Sequence, residues 1–200
     1  MVPFDRFTVV LDACTMFPML VRDVLLTLAA HEFFNPKWSP RIREEWMRNL
    51  LPRMAKRDGE AVARSRIDRI AAAVEAAFPD ALVTADLSES ASLEPVDAKD
   101  RHVVLTAIAA QADAIITFNV ADFAVPHLSQ HLRIAVIHPD DFVMDLVDLN
   151  EKRGVAAFRE LRARKKNPPW ETAELSRRLR EGGLVQTSGW LNSDDVVALI

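Results

Sequence analysis

The stretch VDAKDRHVVLTAIAAQADAIITFNVADF, residues 96–123, decides the fold because it joins acidic residues to two apolar elements. Asp97 and Asp100 open an apolar run whose period predicts a helix over residues 98–111. A short strand is predicted over residues 114–118, and polar residues follow it at Asn119 and Asp122. The stretch therefore predicts two groups of oxygen ligands beside buried elements.

The rest of the chain supplies further short strands separated by helices. Apolar runs too short for helices are predicted as strands at residues 7–11, 81–84 and 134–137. One of the intervening helices is predicted to begin with Ser39 as its N-cap and Pro40 at its first position. Strands that alternate with helices predict an α/β fold with a short-stranded parallel sheet covered on both faces.

Ligands of such sheets bind beyond the carboxyl ends of the strands, and Asp12 directly follows the first predicted strand. A carboxylate at this buried position needs a partner, which helix capping, an ion pair or a metal ion would supply. No Lys or Arg follows Asp12 before Arg22, and this favours a metal ion.

The two acids of the motif D-x-x-D also fit a helix cap. Asp100 shares its helical phase with Val104, Ala107 and Ile108, so it is predicted to lie at the N-terminal end of the helix on the side that faces the core. Asp97 is therefore predicted as the cap and Asp100 as the ligand.

Two further sites leave alternatives open. Glu44 and Glu45 fit solvated first-turn acids of a helix, and helical phase does not choose between them as ligands. Asn119 and Asp122 also fit ordinary turn residues. Several carboxylates that converge on one sheet edge nevertheless favour Mg²⁺ or Mn²⁺, which prefer oxygen ligands.

Composition excludes several other classes of protein. The single Cys14 excludes an intrachain disulfide, and no apolar stretch approaches the roughly 20 residues of a membrane-spanning helix. The N-terminal MVPFDRF does not fit a signal peptide, so a soluble cytoplasmic protein is expected. Phosphate-binding glycine loops, zinc-type Cys/His spacing and G-x-S-x-G motifs are missing from the sequence.

Charge is distributed unevenly along the chain. Residues 37–69 and 151–181 are each rich in Lys and Arg, whereas residues 75–148 carry thirteen acids and three bases. An acidic centre between basic segments fits a metal-dependent enzyme that acts on a polyanion. Solvated helix faces of arbitrary sign are the alternative interpretation.

The motifs VVLDACTMF, SPRIREEWMRNL and DAKDRHVVLTAIAAQADAIITFNVADF resemble those of PIN-domain nucleases, over roughly residues 7–138. The sequence is especially similar to VapC-like toxins of toxin–antitoxin systems, including a subgroup with a C-terminal helical extension. The resemblance implies a three-layer α/β/α fold, with a nuclease domain at residues 1–139 and a helical extension at residues 140–200. It also implies a metal-dependent ribonuclease that uses one or two Mg²⁺ or Mn²⁺ ions.

The resemblance also implies roles for particular residues. The catalytic set is Asp12, Glu45, Asp100 and Asp122, and the metal ligands are these four with Asn119. The hydroxyls of Thr15 and Thr117 are expected beside the ligands. Cys14 stands where the family often has an asparagine, and Asn119 stands in place of an aspartate.

The implied partners are an RNA substrate, a cognate antitoxin and a second copy in a homodimer, with no membrane. Phosphate contacts are expected from Arg43, Arg48 and Arg101, and from Arg153 and residues 162–166. The aromatic residues Phe33, Phe34, Trp38 and Trp46 fit core packing, with an interaction surface as the alternative. The alternative function is a catalytically inactive PIN-like module that binds RNA or protein. A further alternative keeps the metal but acts on DNA or structured RNA.

Overall fold

The computed structural model describes residues 7–86 and 93–200. Residues 1–6 of the N-terminal MVPFDRF therefore lie outside the described residues, as do residues 87–92 of the predicted polar loop. Within the described ranges, no helix is long and apolar enough to cross a membrane.

Short strands and helices alternate along the described chain. The strands are β1 (Thr8–Leu11), β2 (Asn35–Lys37), β3 (Ala114–Ile116) and β4 (Ala135–Ile137). The helices up to β4 are α1 (Ala13–Met16), α2 (Met19–Ala30), α3 (Pro40–Asp58), α4 (Glu60–Ala77), α5 (Arg101–Ala109) and α6 (Val125–His127). The later helices are α7 (Pro139–Leu149), α8 (Glu151–Ala163), α9 (Thr172–Glu181), α10 (Val185–Leu191) and α11 (Asp194–Val197). A 3₁₀-helix at Val120–Phe123 and a π-helix at Leu128–Leu132 flank α6.

The sheet has the strand order β2-β1-β3-β4, and β1 pairs in parallel with both β2 and β3. Val9 and Val10 of β1 and all of β3 are fully buried, as expected for a parallel sheet covered on both faces. The predicted α/β/α fold, with a short-stranded parallel sheet flanked by helices and helices at the C-terminal end, is confirmed.

The second strand lies at Asn35–Lys37, so the prediction of a strand at residues 81–84 is wrong. Leu82 forms only an isolated bridge with Trp38. Pro36 lies within β2, which is an edge strand of the sheet, where a missing N–H is tolerated.

The helix α5 is shorter than predicted and differs in which residues it buries. Val103 and Val104 are fully buried, whereas Ile108 is 40% exposed, so the prediction that Ile108 faces the core is wrong. The first two turns are enclosed on all sides, and the last turn reaches the surface. Asp100, half-buried, lies immediately before this enclosed part.

The chain divides into two compact units. The first contains the described residues of Met1–Phe17 and Asn35–Val136, and the second contains Pro18–Phe34 and Ile137–Ile200. The helix α2 therefore belongs with the C-terminal helices. The domain boundary between residues 139 and 140 stays a prediction.

Polar contacts hold the second unit together beneath its apolar core. The buried Asp140 carboxylate accepts hydrogen bonds from the backbone N–H groups of Gln186 (2.7 Å) and Thr187 (2.9 Å) and from the Thr187 hydroxyl (2.7 Å). These bonds join the start of α7 to the start of α10. Lys165 pairs with Asp23 of α2 at 2.6 Å, which joins α2 to the segment after α8.

Four aromatic side chains support the cores of the two units. Each is at most 7% exposed: Phe33, Phe34, Trp38 and Trp46. Phe34 meets Phe142 edge-on with ring centroids 5.0 Å apart, within the second unit. The interpretation of these residues as core is confirmed.

The predicted N-cap of α3 is also confirmed, because the Ser39 hydroxyl accepts a hydrogen bond from the Ile42 N–H at 3.3 Å. We expect Ser39→Ala to lower the free energy of unfolding by about 1 kcal/mol, since the buried N–H loses its partner. Urea unfolding measures this loss. Ser39→Asp retains an acceptor and is the matched control, so equal losses in both variants would contradict the capping role.

Candidate functional site

Asp12 lies at the carboxyl end of β1, where its backbone N–H donates to the carbonyl of Ile116 in β3 at 3.1 Å. Its side chain is only 5% exposed. Asp12 occupies the N-cap position of α1, but its carboxylate makes no capping hydrogen bond. The capping alternative for Asp12 is therefore not observed.

Two neutral donors hold one oxygen of the Asp12 carboxylate. Oδ2 accepts a hydrogen bond from the Thr117 hydroxyl at 2.8 Å and from the Cys14 thiol at 3.0 Å. Thr15 acts elsewhere, because its hydroxyl donates to the backbone carbonyl of Asp12 at 2.8 Å. Thr117 is thus the hydroxyl that touches the carboxylate, and it comes from the residue after β3.

Cys14 acts as a thiol donor in this network. Burial and, after it, the neighbouring charge of Asp12 raise the pKa of Cys14 to about 12. The sulfur also accepts a hydrogen bond from the Phe118 N–H at 3.3 Å. A residue that departs from the family pattern therefore still donates to Asp12.

Asp100 is the centre of a wider group of acids. Burial is the largest cause that raises the pKa of Asp100, to about 6. The remaining causes are the negative charges of four other carboxylates: Asp12, Asp122, Asp97 and Glu45. We call these five residues the acid cluster. Asp100 occupies the N-cap position of α5 without a capping hydrogen bond, whereas Asp97 accepts a hydrogen bond from the Lys99 N–H at 2.9 Å in the turn before the helix.

The turn after β3 brings Asp122 to the acid cluster. The Asn119 N–H donates to the Thr117 hydroxyl at 3.1 Å, and the Asp122 N–H donates to the Asn119 carbonyl at 3.0 Å. The Asp122 carbonyl in turn accepts from the Asp97 N–H at 3.1 Å. Backbone bonds therefore join the turn that follows β3 to the segment that precedes α5.

The structure separates the two adjacent glutamates of α3. Glu45 is 20% exposed and lies 3.1 Å from Nε2 of His102 and 3.3 Å from Nε of Arg41. Glu44 instead lines a cavity of about 400 Å³ between α3 and α4. Of this pair, the acid cluster contains Glu45.

The arginines expected to contact phosphate occupy different surroundings. Arg43 and Arg48 line the α3–α4 cavity, and Arg43 also pairs with Glu75 at 2.7 Å. The Arg101 guanidinium donates to the carbonyls of Val96 (3.1 Å) and Glu94. Arg101 therefore braces the segment before α5.

The donor set of the acid cluster fits a hard divalent cation. Salt bridges of the described residues reach Glu45 but none of the four aspartates. Among residues 7–86 and 93–200, no three His, Cys, Asp or Glu side chains are arranged so that they enclose an ion. Repulsion between ionised carboxylates favours such an open arrangement, and a cation would offset it.

Sequence reasoning assigned no role to two residues of this site. His102 lies in the quoted motif D-x-x-D-R-H-V, and its buried imidazole reaches Glu45. The available signal was a polar residue in an otherwise apolar helix. Cys14 gave no comparable signal, since a free cysteine after a strand usually packs as a small apolar side chain.

Comparisons with known proteins find matches to both parts of the chain. The family model described as "PIN domain" matches residues 8–121, more than half of the chain, and the model described as "VapC50 C-terminal domain" matches residues 139–193. A curated protein of Mycobacterium tuberculosis, named "Putative ribonuclease VapC50", is 41% identical over 54 residues. That alignment covers 27% of this chain and 31% of the relative, so the chain matches less than a third of it. No solved structure matches the chain.

The raised pKa of Asp100 predicts a pH-dependent cost to stability. A carboxyl whose folded pKa is about 6, above its ordinary 3.8, destabilises the fold once it ionises, so the cost grows between pH 4 and 6 and persists above. We expect Asp100→Asn to raise the free energy of unfolding by about 1 kcal/mol at pH 8 in a metal chelator. Urea unfolding should show this gain vanishing near pH 4.

The matched control is Asp145→Asn on the exposed face of α7, which should leave the unfolding free energy unchanged at both pH values. A gain for Asp100→Asn that is equal at pH 4 and pH 8 would contradict the electrostatic origin.

Proposed function

Because this chain belongs to the PIN-domain family, we propose that it is a metal-dependent endoribonuclease that hydrolyses RNA phosphodiesters. The observation that carries the proposal is the group of five acids centred on Asp100, where burial and the charges of the other four raise the pKa of Asp100 to about 6. A group of carboxylates with no balancing base at its aspartates is suited to a cation that an anionic substrate then approaches.

The proposed ligands of Mg²⁺ or Mn²⁺ are the oxygens at the carboxyl edge of the sheet: Asp12, Glu45, Asp100, Asn119 and Asp122. When bound, one or two such ions would supply Lewis-acid activation of water and offset the charge of the phosphodiester. The proposed products have 5′-phosphate and 3′-hydroxyl ends.

The chain itself positions the oxygen atoms of this site. Thr117 and Cys14 both donate to Oδ2 of Asp12, so the carboxylate is fixed in orientation and its Oδ1 remains for a cation. The elevated pKa of Asp100 means that its proton is released near neutral pH, when a cation can replace it.

The positions of two arginines in α3 support the proposal that the substrate is RNA. Arg48 is exposed, makes no ion pair among the described residues and lines the α3–α4 cavity beside Arg43. Their charges fit phosphate contact, a role that carries no base specificity. Arg101 remains a proposed RNA contact, although its guanidinium already donates to two carbonyls.

The basic run at residues 162–166 is less available for RNA than its charge suggests. Arg162 donates to the Ile200 and Trp170 carbonyls, and Lys165 pairs with Asp23. Arg153 lies over the ring of Phe33, 5.4 Å from its centroid. Much of this charge therefore stabilises the second unit.

The proposed biological role is that of a toxin in a toxin–antitoxin pair, acting in the cytoplasm. The similarity of residues 139–193 to the C-terminal domain of VapC50 supports this role. The proposed partners are a cognate antitoxin protein and a second copy of the chain.

Replacement of a central acid tests the nuclease proposal. We expect Asp100→Asn to abolish Mn²⁺-dependent cleavage of single-stranded RNA while the far-UV circular dichroism spectrum is retained, since one ligand charge is lost. In calorimetric titration, Asp12→Ala should remove the Mn²⁺ site. Asp145→Asn, on the exposed face of α7, is the control that keeps both properties.

Full cleavage by Asp100→Asn would contradict the assignment. If the folded wild-type protein binds RNA but neither binds Mn²⁺ nor cleaves RNA, the chain is instead an inactive binding module. Parallel assays with single-stranded DNA and structured RNA decide the substrate.

The toxin proposal has its own measurement. Induced expression of the chain in a bacterial host should arrest growth, because RNA cleavage stops translation, and Asp100→Asn should not arrest it at equal protein level. Immunoblotting verifies the level. Growth arrest by both proteins would separate toxicity from catalysis and contradict the proposal.

A further inference from the structure

His102 is buried in α5, 3% exposed, and its imidazole is fixed between two acceptors. Nδ1 lies 2.7 Å from the carbonyl oxygen of Lys99. Because a carbonyl oxygen can only accept, Nδ1 carries the hydrogen and donates it. This bond sets the ring orientation and directs Nε2 away from Lys99.

Nε2 faces the carboxylate of Glu45, with 3.1 Å between Nε2 and Oε2. No well-aligned hydrogen-bond partner for Nε2 is found among the described residues. At 3.1 Å the edge of the imidazole nevertheless touches the Glu45 carboxylate, so the ring limits the positions that this carboxylate can take.

The burial of Nε2 limits what His102 can do. The atom is enclosed by protein, so the histidine acts on the acid cluster through Glu45. An apolar side chain would fill this place next to Val103 and Val104 without the cost of burying an imidazole. A buried polar ring at that cost is consistent with a purpose other than packing.

We propose that His102 is a positioning residue that holds the Glu45 carboxylate within the acid cluster and thereby makes Glu45, and not Glu44, the glutamate of the site. The inference rests on the proposed function for its consequence, which is tighter cation binding. Outer partners of metal ligands typically change metal affinity 10–100-fold when they are replaced.

Arg41 is the competing partner of Glu45. It approaches Oε1 at 3.3 Å, but it is 48% exposed and lies four residues away on the same helix. Ion pairs of this kind contribute little and are screened by salt. Arg41→Ala is therefore a control that should change Mn²⁺ affinity less than about threefold.

Two substitutions divide the functions of the imidazole. His102→Asn places an amide where Nδ1 lies, so it retains a donor for Lys99 but withdraws the group that faces Glu45. His102→Gln extends its amide toward the Nε2 position and restores a polar group in contact with Glu45. Both variants bury one neutral amide, so thermal unfolding in chelator compares them on equal terms.

Calorimetric titration with Mn²⁺ in the absence of RNA is the main measurement. We expect His102→Asn to weaken binding about 10–100-fold and His102→Gln to stay within a few-fold of wild type. In a Glu45→Gln background, His102→Asn should cause no further loss. Unchanged binding in His102→Asn, or an equal loss in the Glu45→Gln background, would overturn the proposal.

A metal-free measurement separates this inference from the proposed function. In ¹³C spectra recorded in chelator, His102→Asn should move the Glu45 carboxyl resonance and leave that of Glu44 in place. If the wild type binds no Mn²⁺ and cleaves no RNA, the proposed function fails, and the shift still tests the contact. An unmoved Glu45 resonance overturns the positioning role in either case.

Discussion

The parallel pairing of β1 with β3 is the interaction on which the site depends. It places Asp12 one residue beyond β1 and Thr117 one residue beyond β3, so that hydroxyl and carboxylate meet at 2.8 Å. Both strands are buried, and the apolar surface that they remove from water stabilises a register that the polar residues could not maintain alone. The carboxylates are therefore gathered by two strands that carry no charge themselves.

Gathering acids in this way opposes folding. Burial and four neighbouring negative charges raise the pKa of Asp100, which means that its ionised form is held at a cost. Neutral donors on Asp12 reduce the cost of its burial but do not cancel its charge. A site that is strained by like charge when empty gains most from a cation, and this links the electrostatics of the free protein to its proposed chemistry.

The second unit is stabilised in a different manner. A buried aspartate, Asp140, receives three hydrogen bonds that join two helices, and no neighbouring carboxylate is needed to explain it. Aspartates are thus used in two ways in one chain. Asp140 is surrounded by donors, whereas Asp100 is surrounded by other acids. Surroundings of this kind distinguish a structural carboxylate from a candidate ligand.

The sequence by itself determined the α/β class, the strands β1, β3 and β4 and the Ser39 cap. These follow from local period, strand ends and capping chemistry, which act over a few residues. Only the tertiary structure decided that the segment around Pro36 forms the edge strand β2. It likewise decided that the acid cluster contains Glu45 and not Glu44. It also decided that Cys14 and His102 contact the acids. Those outcomes depend on which segments pack together across a hundred residues of chain, and no local pattern specifies that distance.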